Sequence, residues 1–163
     1  MAIRHEAVIQ SWTQMIPDAA GRGKSLLDTI ENRIKEMKIP NVTTAIQDIS
    51  GGMFGSRRPF LCVNHAHYSD YRVYICAREY GTNLDVGWYM TCQPRFLKRT
   101  LSKYATGDPK QLSMQVDFFS QQDINAFITV INHIVETESR ALFDELQLAP
   151  SARMGSKGFL ELW

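Results

Sequence analysis

Two histidines two residues apart, His65 and His67, followed by Asp70, are the densest set of metal-ligand residue types in the chain. On an extended strand, residues i and i+2 project to the same side, so both imidazoles would face one ion and support metal-assisted hydrolysis. A metal site needs three or four convergent ligands, and His5 and His133 are the only further histidines. A polar turn closing one strand and opening the next is therefore the preferred reading, and no metal or other cofactor is expected. A second chemistry is electrostatic: Arg95, Lys98, Arg99 and Lys103 crowd one face of a short amphipathic helix over residues 95–103, with Phe96 and Tyr104 nearby. Such a helix suits nucleic acid phosphates or an anionic lipid surface, although a charge run is more often a solvated face. Asp70, Glu79 and Asp85 flank one hairpin, where alternation toward solvent explains them better than catalysis. A Gly-x-Ser-x-Gly elbow and a Cys-x-x-Cys pair are both absent, so the sequence gives nucleophilic and redox enzymes no local support.

Two short runs resemble known motifs. Ala20-Gly21-Arg22-Gly23-Lys24-Ser25 resembles the end of the phosphate-binding loop of P-loop nucleotide-binding proteins, in which Gly-Lys-Ser opens a helix whose N-terminus favours anions. Nucleotide binding is what that resemblance implies. The chain has Asp18 where the motif places its first glycine, and a helix ending at Pro17 is expected where the motif has a buried strand, so a glycine-broken link between helices is preferred. The run His65-Ala66-His67-Tyr68-Ser69-Asp70 resembles part of the His-x-His-x-Asp-His run of metallo-β-lactamase-like hydrolases, with the Asp one position late and the last His missing. A small metal-dependent hydrolase using His65 and His67 stands as an alternative function on that basis.

The elements that must position these residues centre on two strands, Arg72–Ala77 and Leu84–Thr91, joined by a loop over Glu79–Asn83 that is expected to be slightly longer than the tightest hairpin types. Leu84, Val86, Trp88 and Met90 alternate in the second strand, and the first is apolar on both faces, as befits a central strand. Val8, Trp12 and Met15 follow i, i+4, i+7 spacing and predict a helix from Ile3 to Ile16, stopped by Pro17. Leu27, Ile30, Ile34 and Met37 predict a second helix, with Glu31 four residues before Lys35. Val42–Ser50 and Phe60–Asn64 read as strands, Leu112–Phe118 as a further one. From Ser120 onward, Ile124, Phe127, Ile128, Ile131, Ile134, Val135, Leu142 and Leu146 predict a long helix, opened by the capping-box-like Ser120-x-x-Asp123.

The expected fold is α+β: two N-terminal helices, an antiparallel β-meander of about four or five strands, and the long C-terminal helix packed on one sheet face. With 163 residues the chain is expected to form a single domain, residues 150–163 being a flexible tail with an apolar end. A net charge of +1 and 21% charged residues select no partner class. Cys62, Cys76 and Cys92 fall in strand-like runs and read as buried free thiols of a reducing compartment; with no signal-like segment or membrane span, a cytoplasmic location is expected.

Several apolar residues lack an evident place in this core. Met53 and Phe54 lie in a glycine-rich loop with Arg57 and Arg58 beside them, and Phe159, Leu160, Leu162 and Trp163 crowd the last five positions. A sheet covered on one face only needs a cover on the other. The function expected from these features is a non-enzymatic protein–protein interaction module, a homodimer or a subunit of a larger assembly. Binding of nucleic acid or anionic lipid through residues 95–103 is the first alternative.

Overall fold

The computed structural model describes residues 7–50, 57–93, 118–149 and 154–158. Among them, six strands form one antiparallel sheet: β1 (Ala7–Ile16), β2 (Val42–Ser50), β3 (Arg57–His65), β4 (Tyr71–Tyr80), β5 (Asn83–Cys92) and β6 (Met154–Gly158). Their order across the sheet is β2-β3-β4-β5-β1-β6. The meander expected from the sequence is the run β2 to β5, and β4 and β5 stand at the sheet's centre. Two helices, α1 (Gly23–Glu36) and α2 (Phe118–Glu145), cover one face.

The sheet's two faces follow from strand periodicity. Leu61, Val63, Val73, Ile75, Leu84, Val86, Trp88 and Met90 point toward the helices and are buried with Leu27, Ile30 and Ile34 of α1 and Phe127, Ile131, Val135 and Phe143 of α2. Trp88 Nε1 donates to Asn132 Oδ1 at 2.9 Å, tying α2 to β5. Arg33 Nε donates to Glu138 Oε1 at 3.0 Å and joins the two helices.

The first expected helix is a strand. Val8, Trp12 and Met15 do not share a face: Trp12 is buried toward the helices, opposite Trp88, whereas Val8 pairs with Thr91 and Met15 with Asp85, both on the other side. A register shift between Val8 and Gln10 changes the phase of the alternation and so disguises the strand period in the sequence. The described N-terminal region thus holds one helix, not two. The hairpin between β4 and β5 is also tighter than expected: Tyr80 pairs with Asn83, leaving only Gly81 and Thr82 as the loop, with Gly81 at φ 65°.

The long helix begins at Phe118, ahead of the expected Ser120, so Ser120 lies inside its first turn; Asp123, assigned to a capping box, instead accepts a hydrogen bond from Tyr68 Oη at 2.8 Å. Within the tail expected to be flexible, Met154–Gly158 pairs with β1 from Met15 to Ser11. The expected strand Leu112–Phe118 lies, apart from Phe118 itself, outside the described residues.

Candidate functional site

The face turned away from the helices carries a cavity of 590 Å³, mostly apolar. That size falls within the roughly 300–1,000 Å³ usual for binding pockets. It exists because the sheet is split. The β2–β3 ladder runs unbroken from Val42↔His65 to Ser50↔Arg57, and β4–β5 from Tyr71↔Cys92 to Tyr80↔Asn83. Between them, β3 and β4 pair only from Leu61↔Ile75 to Asn64↔Arg72. The β2–β3 hairpin therefore peels away from β4, leaving Arg58, Pro59 and Phe60 on one bank and Cys76, Ala77, Arg78 and Glu79 on the other. Pro59 has no amide hydrogen to give to a ladder, which favours the split where it occurs.

The N-terminus of α1 closes the back of this wedge. A Cβ at Gly23 would stand 2.8 Å from the Ala77 carbonyl oxygen, so the absence of a side chain is what lets the helix approach β4 so closely. Glu79 supports the approach, accepting a hydrogen bond at Oε1 from the Gly21 N–H at 2.9 Å. This geometry revises the reading of Gly21–Ser25. The run does follow a strand, β1, not a helix, yet an internal carboxylate already occupies the amide of its loop, and Lys24 is engaged with Asp28 at 2.7 Å. Ser25 Oγ donates to the Arg22 carbonyl.

Phe60, Tyr74, Tyr89 and the Cys76 thiol line the cavity. Tyr74 is buried with Cys62 and Ile49, and Phe60 packs edge-on against it at 6.2 Å between ring centres. Burial pushes the Cys76 thiol up to about 11, with the Asp85 carboxylate adding to the effect, so this sulfur is a neutral wall group at ordinary pH and a poor nucleophile. Burial likewise raises Tyr89. Arg78 and Asp85 pair on the wall at 3.0 Å. Arg58, exposed at the mouth and close enough to Cys76 to act on its thiol, is the one cavity cation without an ion-pair partner among the described residues.

The other sequence candidates are placed as follows. Arg57 and Arg58 open β3, and their alternation sends Arg58, with Phe60 and Cys62, to the cavity face. Met53, Phe54, Arg95, Lys98, Arg99, Lys103, Phe159, Leu160, Leu162 and Trp163 lie outside the described residues. His65 ends β3, but His67 belongs to a 3-10 turn (Ala66–Tyr68), so the two do not project together from one strand. His65 Nδ1 accepts the His67 backbone N–H at 3.3 Å, and its ring lies 4.8 Å from Tyr68 and 5.6 Å from Phe127. Burial, then the neighbouring His67, lowers its pKa. No group of three or more His, Cys, Asp or Glu among the described residues is placed to hold a metal ion.

The wedge was not foreseen. Its signal in the sequence was slight: a proline inside a strand, and a central strand apolar on both faces. No family model matches this chain, and comparison with curated proteins and with solved structures returns no match either. No helix among the described residues is long and apolar enough to cross a membrane.

Proposed function

We propose that the chain is a non-enzymatic protein–protein interaction module that takes up an extended segment of a partner in the wedge between β3 and β4. One juxtaposition carries this reading: an apolar cavity lies beside Cys76–Tyr80, a stretch of β4 with no strand neighbour on its β3 side among the described residues. Unpaired main-chain groups accept an added strand, and the cavity beside them accepts its alternate side chains, which is how peptides add to sheet edges. The state of the wall groups supports a binding role over catalysis: the Cys76 thiol is held protonated, and Arg78 and Asp85 are spent on each other.

Selection of displayed random heptapeptides on the intact protein tests the reading. Binders with apolar residues at alternate positions are expected, and they should lose affinity for Phe60→Ser and Arg58→Glu variants whose circular dichroism and melting are unchanged. A selection that yields no binder, or binders indifferent to both substitutions, overturns it.

A further inference from the structure

Resting on that reading, we propose that the occupant of the wedge is Phe159–Trp163 of a second copy of this chain, with Glu161 seated on Arg58. The chemistry matches at three points. In this mostly apolar cavity Glu79 is engaged with the Gly21 amide and Arg78 with Asp85, and the Arg58 guanidinium at the mouth has no ion-pair partner among the described residues, so an occupant should be apolar and carry one acid. Phe-Leu-Glu-Leu-Trp has that composition. In an extended segment alternate residues share a side, which puts Glu161 between Phe159 and Trp163, two aromatic anchors flanking one carboxylate.

The register decides between the chain's own segment and that of a second copy. Gly158 pairs with Ser11, Ser11 with Tyr89, Tyr89 with Tyr74 and Tyr74 with Cys62, so Cys62 lies straight across the sheet from Gly158. Four strand spacings make that crossing about 19 Å, and Arg58 lies four residues further along β3, another ~13 Å. Glu161, three residues past Gly158, has a main-chain reach of at most about 11 Å. The direction is also wrong: β6 advances from Met15 toward Ser11, whereas Arg58 lies toward the Met15 end, level with Arg78 and Asp85. A chain therefore does not deliver its own Glu161 to its own Arg58 along the sheet. A second copy is free of that constraint, and a two-fold axis makes the exchange reciprocal, each copy filling the other's wedge.

Charge exchange between copies provides the test. Sedimentation equilibrium of the full chain should show a dimer. Arg58→Glu and Glu161→Arg should each weaken it by about tenfold or more, since each sets like charges together at both sites. An equimolar mixture of the two variants should dimerise again, because each wedge then meets a segment of opposite charge. Trp163→Ser, remote from the sheet core in sequence, should weaken the dimer with no charge change. The proposal is overturned if the unaltered chain is monomeric, if the single variants dimerise as it does, or if the mixture fails to recover. Peptide binding at the wedge by a chain that stays monomeric would sink this proposal and leave the interaction-module reading standing. Loss of both would remove the two together.

Discussion

Arg78 and Asp85 face each other across the β4–β5 ladder, the guanidinium Nη2 donating to Asp85 Oδ2 at 3.0 Å on the wall of the cavity. Their pairing offsets two charges of the cavity lining, whose other charged groups are Arg58, Lys24 bonded to Asp28 and Glu79 bonded to the Gly21 amide. Asp85→Asn should cost no more than about 1 kcal/mol of stability, since the arginine is more than a third exposed and water screens the pair. The same change frees a second cation in the cavity. Binding of acidic peptides should tighten, as titration calorimetry would register; unchanged or weaker binding would mean that Arg78 does not face the occupant.

The protonated state of Cys76 predicts an alkaline limit to stability. Its folded pKa, about 11, lies above the ordinary 9.0, so the folded state holds the proton more firmly. The stabilising contribution is complete below pH 9.0 and is lost as the pH climbs from there to about 11. Two pKa steps correspond to about 3 kcal/mol at most. Urea melts over that range should show the decline, and Cys76→Ala should lose part of it. At pH 8 the thiol should react with iodoacetamide far more slowly than a free cysteine.

Gly23→Ala should separate α1 from β4. The added Cβ meets the Ala77 carbonyl oxygen at 2.8 Å and Leu84 Cδ1 at 3.2 Å, and the first of these is backbone with no rotamer to change. A loss of about 1–3 kcal/mol is expected by chemical denaturation. A neutral result would show that the helix N-terminus slides freely over the strand.

The histidine pair predicts pH dependence without metal dependence. His65 has a lowered pKa, so the unfolded chain takes up this proton first as the pH falls, and stability should decline as the pH drops through the ordinary 6.5 and below. Asp123, which faces His65 from α2, opposes the shift, and His67 reinforces it. Excess zinc should leave the melting temperature unchanged at neutral pH. A rise abolished by His67→Ala would restore the metal-dependent hydrolase as a candidate.

The Trp88–Asn132 contact joins the sheet to α2 through one hydrogen bond. Asn132→Leu should cost about 1–3 kcal/mol, because the indole N–H is left buried without an acceptor. Equilibrium unfolding measures this, and the Trp88 fluorescence should shift in the folded state.

Local pattern alone determined much of this protein. The period of 3.6 in Leu27, Ile30 and Ile34 and in Ile124 through Leu142 placed both helices, because their apolar stripes have one partner, the sheet. The alternation of Leu84, Val86, Trp88 and Met90 placed β5 and its buried face for the same reason. The strand β1 was not legible: its register shift breaks the alternation, and Val8, Trp12 and Met15 mimic a helical stripe whose members the sheet sends to opposite faces. Of the cavity lining, the sequence marked Arg58 as the charged rim of an interaction surface, whereas Gly23, Lys24, Glu79 and Asp85 stood out only for other chemistry. That β3 pairs with β4 only from Leu61 onward, that Gly23 closes the gap from behind, and that Arg58 alone among the cavity's cations lacks an ion-pair partner among the described residues depend on contacts between residues far apart in the chain. Hydrophobic periodicity records which side of an element is buried, but not where two neighbouring strands cease to pair, and that tertiary choice created the cavity.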